Sequence, residues 1–203
     1  MFYYLEGAVA VIGPNLAVID ISGAGYACMT SANTLSRIEV GKKTRLYTYC
    51  HVKEDAFDIF GFYDLSEKRC FELLIGVSGV GPKAALSVLS ANTPESLALA
   101  IVSDDETALT TAPGIGKKIA QRVILELKDK VSKESAALKT AGYAPPRGEF
   151  GQGHPGSKLR DAAAALAVLG YSQGEISTAM RGIDMEALTV EEIVREILKN
   201  SVK

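Results

Sequence analysis

The sequence is poor in cysteine, histidine and tryptophan, and the scarcity of cysteine and histidine argues against a zinc site. The chain has no tryptophan, two histidines and three cysteines among 203 residues. Cys28, Cys50 and Cys70 lie far apart, without a CxxC pair or a neighbouring histidine cluster, whereas zinc sites need closely spaced ligands. An odd number of scattered thiols is typical of a reducing compartment. We therefore expect neither a metal nor another cofactor.

Targeting signals and long apolar runs are also missing. The first six residues, MFYYLE, lack the basic start and apolar core of a signal peptide. The longest uncharged stretch, residues 21–36, is interrupted by serine, glycine, threonine and asparagine, so it does not resemble a membrane span. The sequence thus predicts a soluble, cytoplasmic protein without a membrane segment.

Charge is nearly balanced along the whole chain, with a formal net charge of −2. Residues 1–64 carry five basic and seven acidic side chains, residues 65–134 carry nine of each, and residues 135–203 carry eight of each. Bulk charge therefore does not indicate a nucleic-acid partner. Any DNA-binding face has to arise from the local arrangement of basic residues.

Short runs rich in valine, isoleucine, tyrosine and alanine fill the first 64 residues. The predicted strands are Phe2–Ile12, Leu16–Ile21, Tyr26–Thr30, Thr44–Lys53 and Phe57–Phe62. Turn residues at positions 13–15 and 22–25 separate the first three strands. Five short strands in so small a segment predict an OB-type β-barrel. Another kind of small barrel is an alternative that the pattern leaves open.

Residues 65–134 have helical periodicity and contain an internal repeat. Helix-start signals occur at Ser66, at Thr93 before Pro94, and at Ser103 with Glu106 three residues later. The sequence SGVGPK at 78–83 recurs as PGIGKK at 113–118, an offset of 35 residues. The equivalent pairs further on are Ala85 and Ala120, Val88 and Val123, and Leu89 and Ile124. Two copies at one offset predict two similar hairpins.

Each copy of the repeat is suited to bind a DNA phosphate. Glycines let a phosphate approach the main chain closely, and the helix that follows offers free N–H groups and the positive end of its dipole. The predicted DNA-backbone-binding residues are Gly79, Gly81, Lys83, Gly114, Gly116, Lys117, Lys118 and Arg122. Such a site holds the backbone without reading bases. The plainer alternative is a pair of tight turns in which Val80 and Ile115 fill the core.

Two further segments complete the chain. Residues 135–156 are dense in glycine and proline and predict a flexible linker. Residues 157–203 contain a C-cap glycine, Gly170, and two capping boxes, at 172–175 and 189–192. They predict a small, tethered and mobile three-helix (UBA-like) domain. The expected fold class is therefore α+β multidomain, with a barrel at 1–64 and an all-α tandem hairpin domain at 65–134.

The order of these segments resembles the RuvA family over essentially the whole chain. The residues that carry the resemblance are the two hairpins, the turn Lys53-Glu54-Asp55 followed by Gly61-Phe62, and Leu169-Gly170-Tyr171. The resemblance implies a non-catalytic subunit that binds four-way Holliday junctions as a homotetramer, singly or as two tetramers, and holds them open and planar. It also implies two partners in DNA recombination and repair, the hexameric ATPase RuvB, which drives branch migration, and the endonuclease RuvC.

The predicted hairpin tip at Glu54 and Asp55 allows two interpretations. Adjacent acids are ordinary in a solvated turn, but the resemblance implies an acidic pin beside the junction crossover. A carboxylate about 6 Å from a phosphate repels it by about 3 kcal/mol at an effective dielectric near 20, against about 1.4 kcal/mol for a base-pair step.

The first strand lacks the basic residue expected in such a relative, so Lys42, Lys43 and Arg45 are weak candidates for barrel contacts to DNA.

The C-terminal residues Leu166, Leu169 and Tyr171 form a candidate docking patch for the ATPase. The plainer alternative is that these residues are the core of a small helical bundle, and for each residue taken singly this alternative is the favoured one.

Two rival functions are weaker matches to the sequence. A helix-hairpin-helix DNA glycosylase needs a catalytic aspartate in a base pocket, whereas Asp129 lies late in a charged helix and the linker follows. An OB-fold RNA-binding protein would explain the barrel but not the paired hairpins. The chain also encodes no Walker A ATPase, because Gly116-Lys117 is followed by lysine instead of serine or threonine.

Overall fold

The computed structural model describes residues 1–140 and 188–201. Between these ranges it describes Ala163, Leu166, Ala167, Tyr171, Gly174, Ile176, Thr178 and Met180. The chain forms two compact units: Met1–Thr93 with Thr111–Ile115, and Pro94–Thr110 with the residues from Gly116 onward. The first unit thus holds the barrel together with the first hairpin, and the boundary falls within the segment that the sequence assigns to one helical domain.

Five strands close into a barrel in the order β1-β2-β3-β5-β4. The strands are β1 (Tyr4–Gly13), β2 (Leu16–Ile21), β3 (Ala24–Met29), β4 (Lys43–Val52) and β5 (Phe57–Phe62). Every neighbouring pair is antiparallel except β3 with β5, which pair in parallel and complete the closure. All five predicted strands are confirmed, with boundaries that differ by no more than two residues, and so is the OB-type barrel.

The barrel closes around an alternating set of apolar side chains. This core contains Leu5, Val9, Ala17, Ile19, Cys28, Ile38, Leu46 and Ile59, all buried. Gly7 is required where β1 crosses β2, because a Cβ at this position would lie 2.0 Å from the carbonyl oxygen of Asp20. Burial raises the pKa of the Cys28 thiol to about 12, so this cysteine is an inert core residue.

Aromatic side chains join the barrel to the helix that follows it. Phe71 packs against Phe60 and Phe62 of β5, with ring centroids 5.0 and 4.9 Å apart, and against Tyr49 of β4 at 5.4 Å. Phe60, Phe62 and Phe71 are all fully buried. Aromatic burial on this scale fixes the first hairpin helix to the barrel wall.

Three helices belong to the first unit: α1 (Ala32–Leu35), α2 (Leu65–Ile75) and α3 (Pro82–Ala91). The predicted start of α2 at Ser66 is wrong by two residues. Asp64 is the N-cap, because its carboxylate accepts from the amide of Glu67 at 2.9 Å, and the hydroxyl of Ser66 donates to the same carboxylate. A carboxylate at the N-cap bonds a free N–H group of the first turn. Ser66 is already the second residue of the helix and is therefore not the N-cap.

The second unit contains α4 (Pro94–Val102), α5 (Glu106–Thr110), α6 (Lys117–Thr140) and α7 (Val190–Ser201). Proline opens α4 as predicted. The helix start predicted at Ser103 is wrong: its hydroxyl donates to the carbonyl of Leu99 at the end of α4. Asp105 caps α5 instead, accepting from the amide of Ala108 at 3.1 Å.

The helix α6 extends beyond its predicted end. It continues to Thr140, whereas the sequence predicts a linker from Ser135. The intervening residues are mostly good helix formers, and glycine and proline first appear at Gly142 and Pro145. The remainder of the predicted linker lies outside the described residues.

The described C-terminal residues form a small apolar core. Its buried members are Ala163, Leu166, Ile176, Met180, Ile193, Val194 and Ile197. The capping box that opens α7 is confirmed, since the amide of Glu192 donates to the Thr189 hydroxyl and the Glu192 carboxylate accepts from the Thr189 amide. Gly170 and the capping box at 172–175 lie outside the described residues. No single helix in the described part of the chain is long and apolar enough to cross a membrane. Helices α3 and α4 taken together have the length and composition of a membrane span.

Candidate nucleic-acid interface

The first hairpin joins α2 to α3 through a tight loop. The amide of Val80 donates to the carbonyl oxygen of Val77 at 3.0 Å, and the side chain of Val80 is 5% exposed. Gly79 has a φ of +91°, a conformation that glycine adopts without the steric penalty of an L side chain. The buried valine and the left-handed glycine together set the path of the loop.

The second hairpin has the same local geometry 35 residues later. The amide of Ile115 donates to the carbonyl of Ala112 at 3.1 Å, Gly114 has a φ of +85°, and Ile115 is 5% exposed. The equivalent pairs downstream are all buried: Ala85 and Ala120, Val88 and Val123, Leu89 and Ile124. The sequence repeat is therefore a structural repeat, and its central apolar residues are core residues as the plainer alternative holds.

Gly81 and Gly116 leave the backbone open in front of the following helices. A Cβ at either position would meet no atom within 4 Å. Gly81 is the N-cap of α3 and has no side chain to bond the amides of the first turn, while Pro82, the first helical residue, has no N–H group. Open backbone in front of a helix N-terminus with unsatisfied N–H groups is a geometry that accepts an anion such as a phosphate.

Basic side chains lie in the first turn of α3 and of α6, the helices that follow the two hairpin loops, as the sequence predicts. Lys83 is the second residue of α3, and Lys117 and Lys118 are the first two residues of α6. The Lys117 ammonium lies 4.0 Å from the carboxylate of Glu106. Arg122, one turn further, pairs with Glu126 at 3.1 Å. These pairs are exposed and therefore weak, so the basic groups remain available to a stronger anion.

Lys83 also lines a pocket of about 490 Å³ on the first unit. The turn between β1 and β2 contributes Asn15 to this pocket, and α3 contributes Ser87 and Ser90. The hydroxyl of Ser87 donates to the carbonyl of Pro113 at 2.7 Å, which ties α3 to the loop of the second hairpin. Sequence reasoning did not place Asn15 in the same pocket as a hairpin lysine. Its signal was a turn cluster, which by itself indicates only a break between strands.

The turn with Glu54 and Asp55 is an exposed hairpin tip, as the sequence predicts. It connects β4 to β5, and the amide of Lys53 donates to the carbonyl of Ala56 at 2.8 Å. Lys53, Glu54 and Asp55 are all exposed. Beneath them, Val52 and Phe57 face each other across the strands and are 70% and 52% exposed. The tip therefore projects two carboxylates away from the barrel.

Two of the three weak barrel candidates are engaged within the barrel. Lys43 and Arg45 of β4 form ion pairs with Glu6 of β1, at 2.8 and 2.6 Å, and the Arg45 guanidinium lies over the ring of Tyr4. Hydrogen bonds from Lys43 and Arg45 hold the pKa of Glu6 below its ordinary value. The charges of Lys43 and Arg45 are thus partly compensated by Glu6. All three basic side chains are exposed.

A buried carboxylate, absent from the sequence predictions, fixes α2 to α1. Glu67 is 2% exposed, and its two oxygens accept from the hydroxyls of Ser31 and Thr34. The Thr34 hydroxyl also accepts from the amide of Tyr63 at 2.9 Å. Burial raises the pKa of Glu67, although both hydroxyl hydrogen bonds oppose this change. An acid in the first turn of a helix ordinarily indicates a partner for the helix dipole, so no local pattern pointed to its burial.

The predicted docking patch for the ATPase is divided between the core and the surface. Leu166 is fully buried in the C-terminal core, which agrees with the alternative that it is a core residue. Tyr171 is half-buried, and its hydroxyl donates to Glu95 of α4 at 2.6 Å. Leu169 lies outside the described residues. Asp129, the aspartate that a glycosylase would need, is exposed on α6.

A closed five-stranded barrel followed by two equivalent glycine-lysine hairpins defines a class, the barrel proteins with tandem helix-hairpin-helix motifs. Three family models match the chain: RuvA N terminal domain at residues 1–61, SAM-like helix-hairpin-helix tandem at 71–129, and RuvA C-terminal domain at 157–202. The chain belongs to the RuvA family.

Similar proteins of full length share about two fifths of their residues with this chain. One from Acetivibrio thermocellus is 42% identical over 208 residues, covering 98% of both chains. One from Caldanaerobacter subterraneus is 42% identical over 204 residues, and one from Geobacter sulfurreducens is 39% identical over 205, each covering both chains completely. All three bear the name Holliday junction branch migration complex subunit RuvA.

Proposed function

We propose that this chain is the DNA-binding subunit of a complex that migrates the branch point of Holliday junctions. Its relatives carry that name over their full length, and the hairpins supply a chemistry that fits it. We assign it no catalytic step. The chemical energy for migration comes in this proposal from a hexameric ATPase partner, RuvB, and resolution of the junction from the endonuclease RuvC.

The observation that carries the proposal is the pair of equivalent hairpins. Each has a left-handed glycine, an open glycine in front of a helix, and lysine in the first helical turn. The proposed backbone-binding residues are Gly79, Gly81, Lys83, Gly114, Gly116, Lys117, Lys118 and Arg122. Main-chain amides and lysines bind the phosphates of DNA whatever its base sequence. Selectivity then has to come from the shape of the DNA, and a four-way junction differs from a duplex in shape.

Four copies around one crossover would place eight hairpins on the four arms of a junction. We propose this homotetramer as the binding unit, singly or with a second tetramer on the opposite face. In it, Glu54 and Asp55 form an acidic pin near the crossover. The tip is exposed and projects from the barrel, so its carboxylates can approach phosphates; the repulsion is about 3 kcal/mol per close pair where bound DNA excludes water, and less than about 1 kcal/mol in free solvent. That repulsion is large enough to disfavour a continuous duplex at the centre.

The C-terminal residues 157–203 are proposed to bind the ATPase instead of DNA. They carry six basic and seven acidic side chains and no hairpin repeat, and their described buried residues form a small core. Tyr171 and Leu169 remain candidate contacts. Leu166 is a core residue and would act by holding the others in place.

The test is a comparison of DNA shapes at constant length and salt. Purified protein is titrated into a fluorescent four-way junction, and into duplexes of the same length in several sequences, at moderate ionic strength. We expect a clear preference for the junction that does not depend on sequence, and a native mass of one or two tetramers per junction. Equal affinity for junction and duplex would overturn the proposal.

A further inference from the structure

An apolar side chain from α4 packs against the C-terminal core. Leu99, near the centre of α4, packs against the cluster formed by Leu166, Ile193 and their neighbours. Ala167, Tyr171 and Leu188 pack against the same cluster from within the C-terminal segment. A side chain from a helix far earlier in the sequence thus takes a place at the edge of this small domain.

A hydrogen bond lies beside this apolar contact. The hydroxyl of Tyr171 donates to the Glu95 carboxylate at 2.6 Å, and the bond is partly buried. Glu95 and Leu99 are four residues apart on α4, so they lie on the same side of the helix. Together they form a stripe, the α4 stripe, that contacts the C-terminal domain through one polar and one apolar group.

The α4 stripe engages the residue that is also a candidate contact for the ATPase. With Leu166 buried and Tyr171 bonded to Glu95, the tyrosine edge of the docked domain faces α4. We propose that the α4 stripe is an intramolecular latch, and that the stripe and the ATPase compete for this edge of the C-terminal domain. The proposal rests on the proposed function, in which residues 157–203 bind the ATPase.

The contact has a strength suited to a reversible latch. One hydrogen bond of ordinary strength corresponds to a change of about 2- to 12-fold in the docking equilibrium, and a single partly buried leucine adds a similar modest amount. Because both surfaces belong to one chain, docking is intramolecular and such weak contacts are enough to populate it. The apparent affinity of the partner is then reduced by the fraction of domains that are undocked.

The experiment uses the full-length protein, the purified ATPase hexamer and the variant Glu95→Ala, which alters the latch without touching residues 157–203. We expect Glu95→Ala to bind the ATPase about 2- to 12-fold more tightly than the parent, with junction affinity unchanged. Glu72→Ala is the matched control: it removes an acid that pairs with Lys68 on α2, away from the latch, and it should leave ATPase affinity unchanged.

A double-mutant cycle separates the latch from an indirect effect. Tyr171→Phe keeps the ring but loses the hydroxyl whose hydrogen bond Glu95 accepts, so Glu95→Ala should add nothing in that background. If Glu95→Ala strengthens ATPase binding equally in the parent and in the Tyr171→Phe variant, the hydrogen bond is not the cause and the latch is wrong.

A distance measurement gives a readout that does not depend on affinity. Nitroxide labels at Ser96→Cys on α4 and Thr178→Cys, an exposed position of the C-terminal domain, should report one short distance in the parent and longer distances in Glu95→Ala or with ATPase bound. An unchanged distance when the ATPase binds overturns the latch but leaves the proposed function intact. Failure of the parent and of Glu95→Ala alike to bind the ATPase overturns the proposed function, and the latch with it.

Discussion

Removal of the two lysines at the start of α6 tests whether the second hairpin binds DNA. Lys117 and Lys118 are exposed and occupy the first helical turn, so the double substitution to alanine removes charge without opening a cavity. Alanine is a better helix former than lysine, and we therefore expect α6 to be retained. The loss of the weak contact between Lys117 and Glu106 should change stability by less than about 1 kcal/mol.

The expected magnitude follows from counterion release. Each neutralised phosphate contributes about 0.9 to the slope of log affinity against log salt. Lys117 is partly offset by Glu106, so we count one phosphate per copy for the pair. Four copies then reduce the slope by about 3.6, and an increase from about 50 to about 200 mM salt weakens the parent about 150-fold more than the variant.

Junction affinity at four or more salt concentrations, measured by fluorescence anisotropy, gives the slope, and circular dichroism verifies the fold. Lys128→Ala is the matched control, because Lys128 lies on the same helix but bonds to Asp104 at 2.5 Å, away from the hairpin. A folded double variant with the parent's slope would show that these lysines do not contact DNA. An equal reduction by Lys128→Ala would assign the effect to net charge instead of to the hairpin.

Three further substitutions probe the acidic tip, the buried carboxylate and the hairpin glycines. Glu54→Gln/Asp55→Asn removes two charges per copy while keeping turn geometry, so duplex affinity should rise and junction preference should shrink; discrimination equal to the parent's, at matched thermal stability, would leave the tip an ordinary loop. Burial raises the pKa of Glu67, so the stability it contributes is fully present below its unfolded pKa and is lost as pH rises through the raised folded value. Glu67→Gln removes this pH dependence of stability, which is about 1.4 kcal/mol for each unit by which the pKa is raised. If the stability of the two proteins changes equally with pH between about pH 4 and pH 7, the prediction is contradicted. Gly114→Ala places an L side chain at a φ of +85° with no steric contact, so it should destabilise by about 1–2 kcal/mol, and Gly116→Ala, also in open space but without a positive φ, should cost less in the same thermal unfolding experiment.

The strands and the hairpins are recoverable from the sequence because their causes are local. Alternation of apolar residues and clusters of turn residues lie within a few positions of the strands they define. The repeat of glycine, apolar residue, glycine and lysine places Gly79, Lys83 and their equivalents in hairpins without any long-range information. The errors at Ser66 and Ser103 are local too, since an aspartate two residues away is the better cap in both cases.

The contacts that join distant segments depend on tertiary structure alone. Glu67 is a first-turn acid by sequence, and only the packing of α2 against α1 buries it between Ser31 and Thr34. Asn15 lines the same pocket as Lys83 because the closed barrel carries the turn between β1 and β2 to the first hairpin. Tyr171 meets Glu95 across 76 positions of sequence. Periodicity and capping report which residues prefer a helix or a strand, but they contain no term for a partner far away in the chain. The sequence therefore determined the elements and the glycine-lysine hairpins, while the fold decided which of the charged groups are buried, paired or exposed.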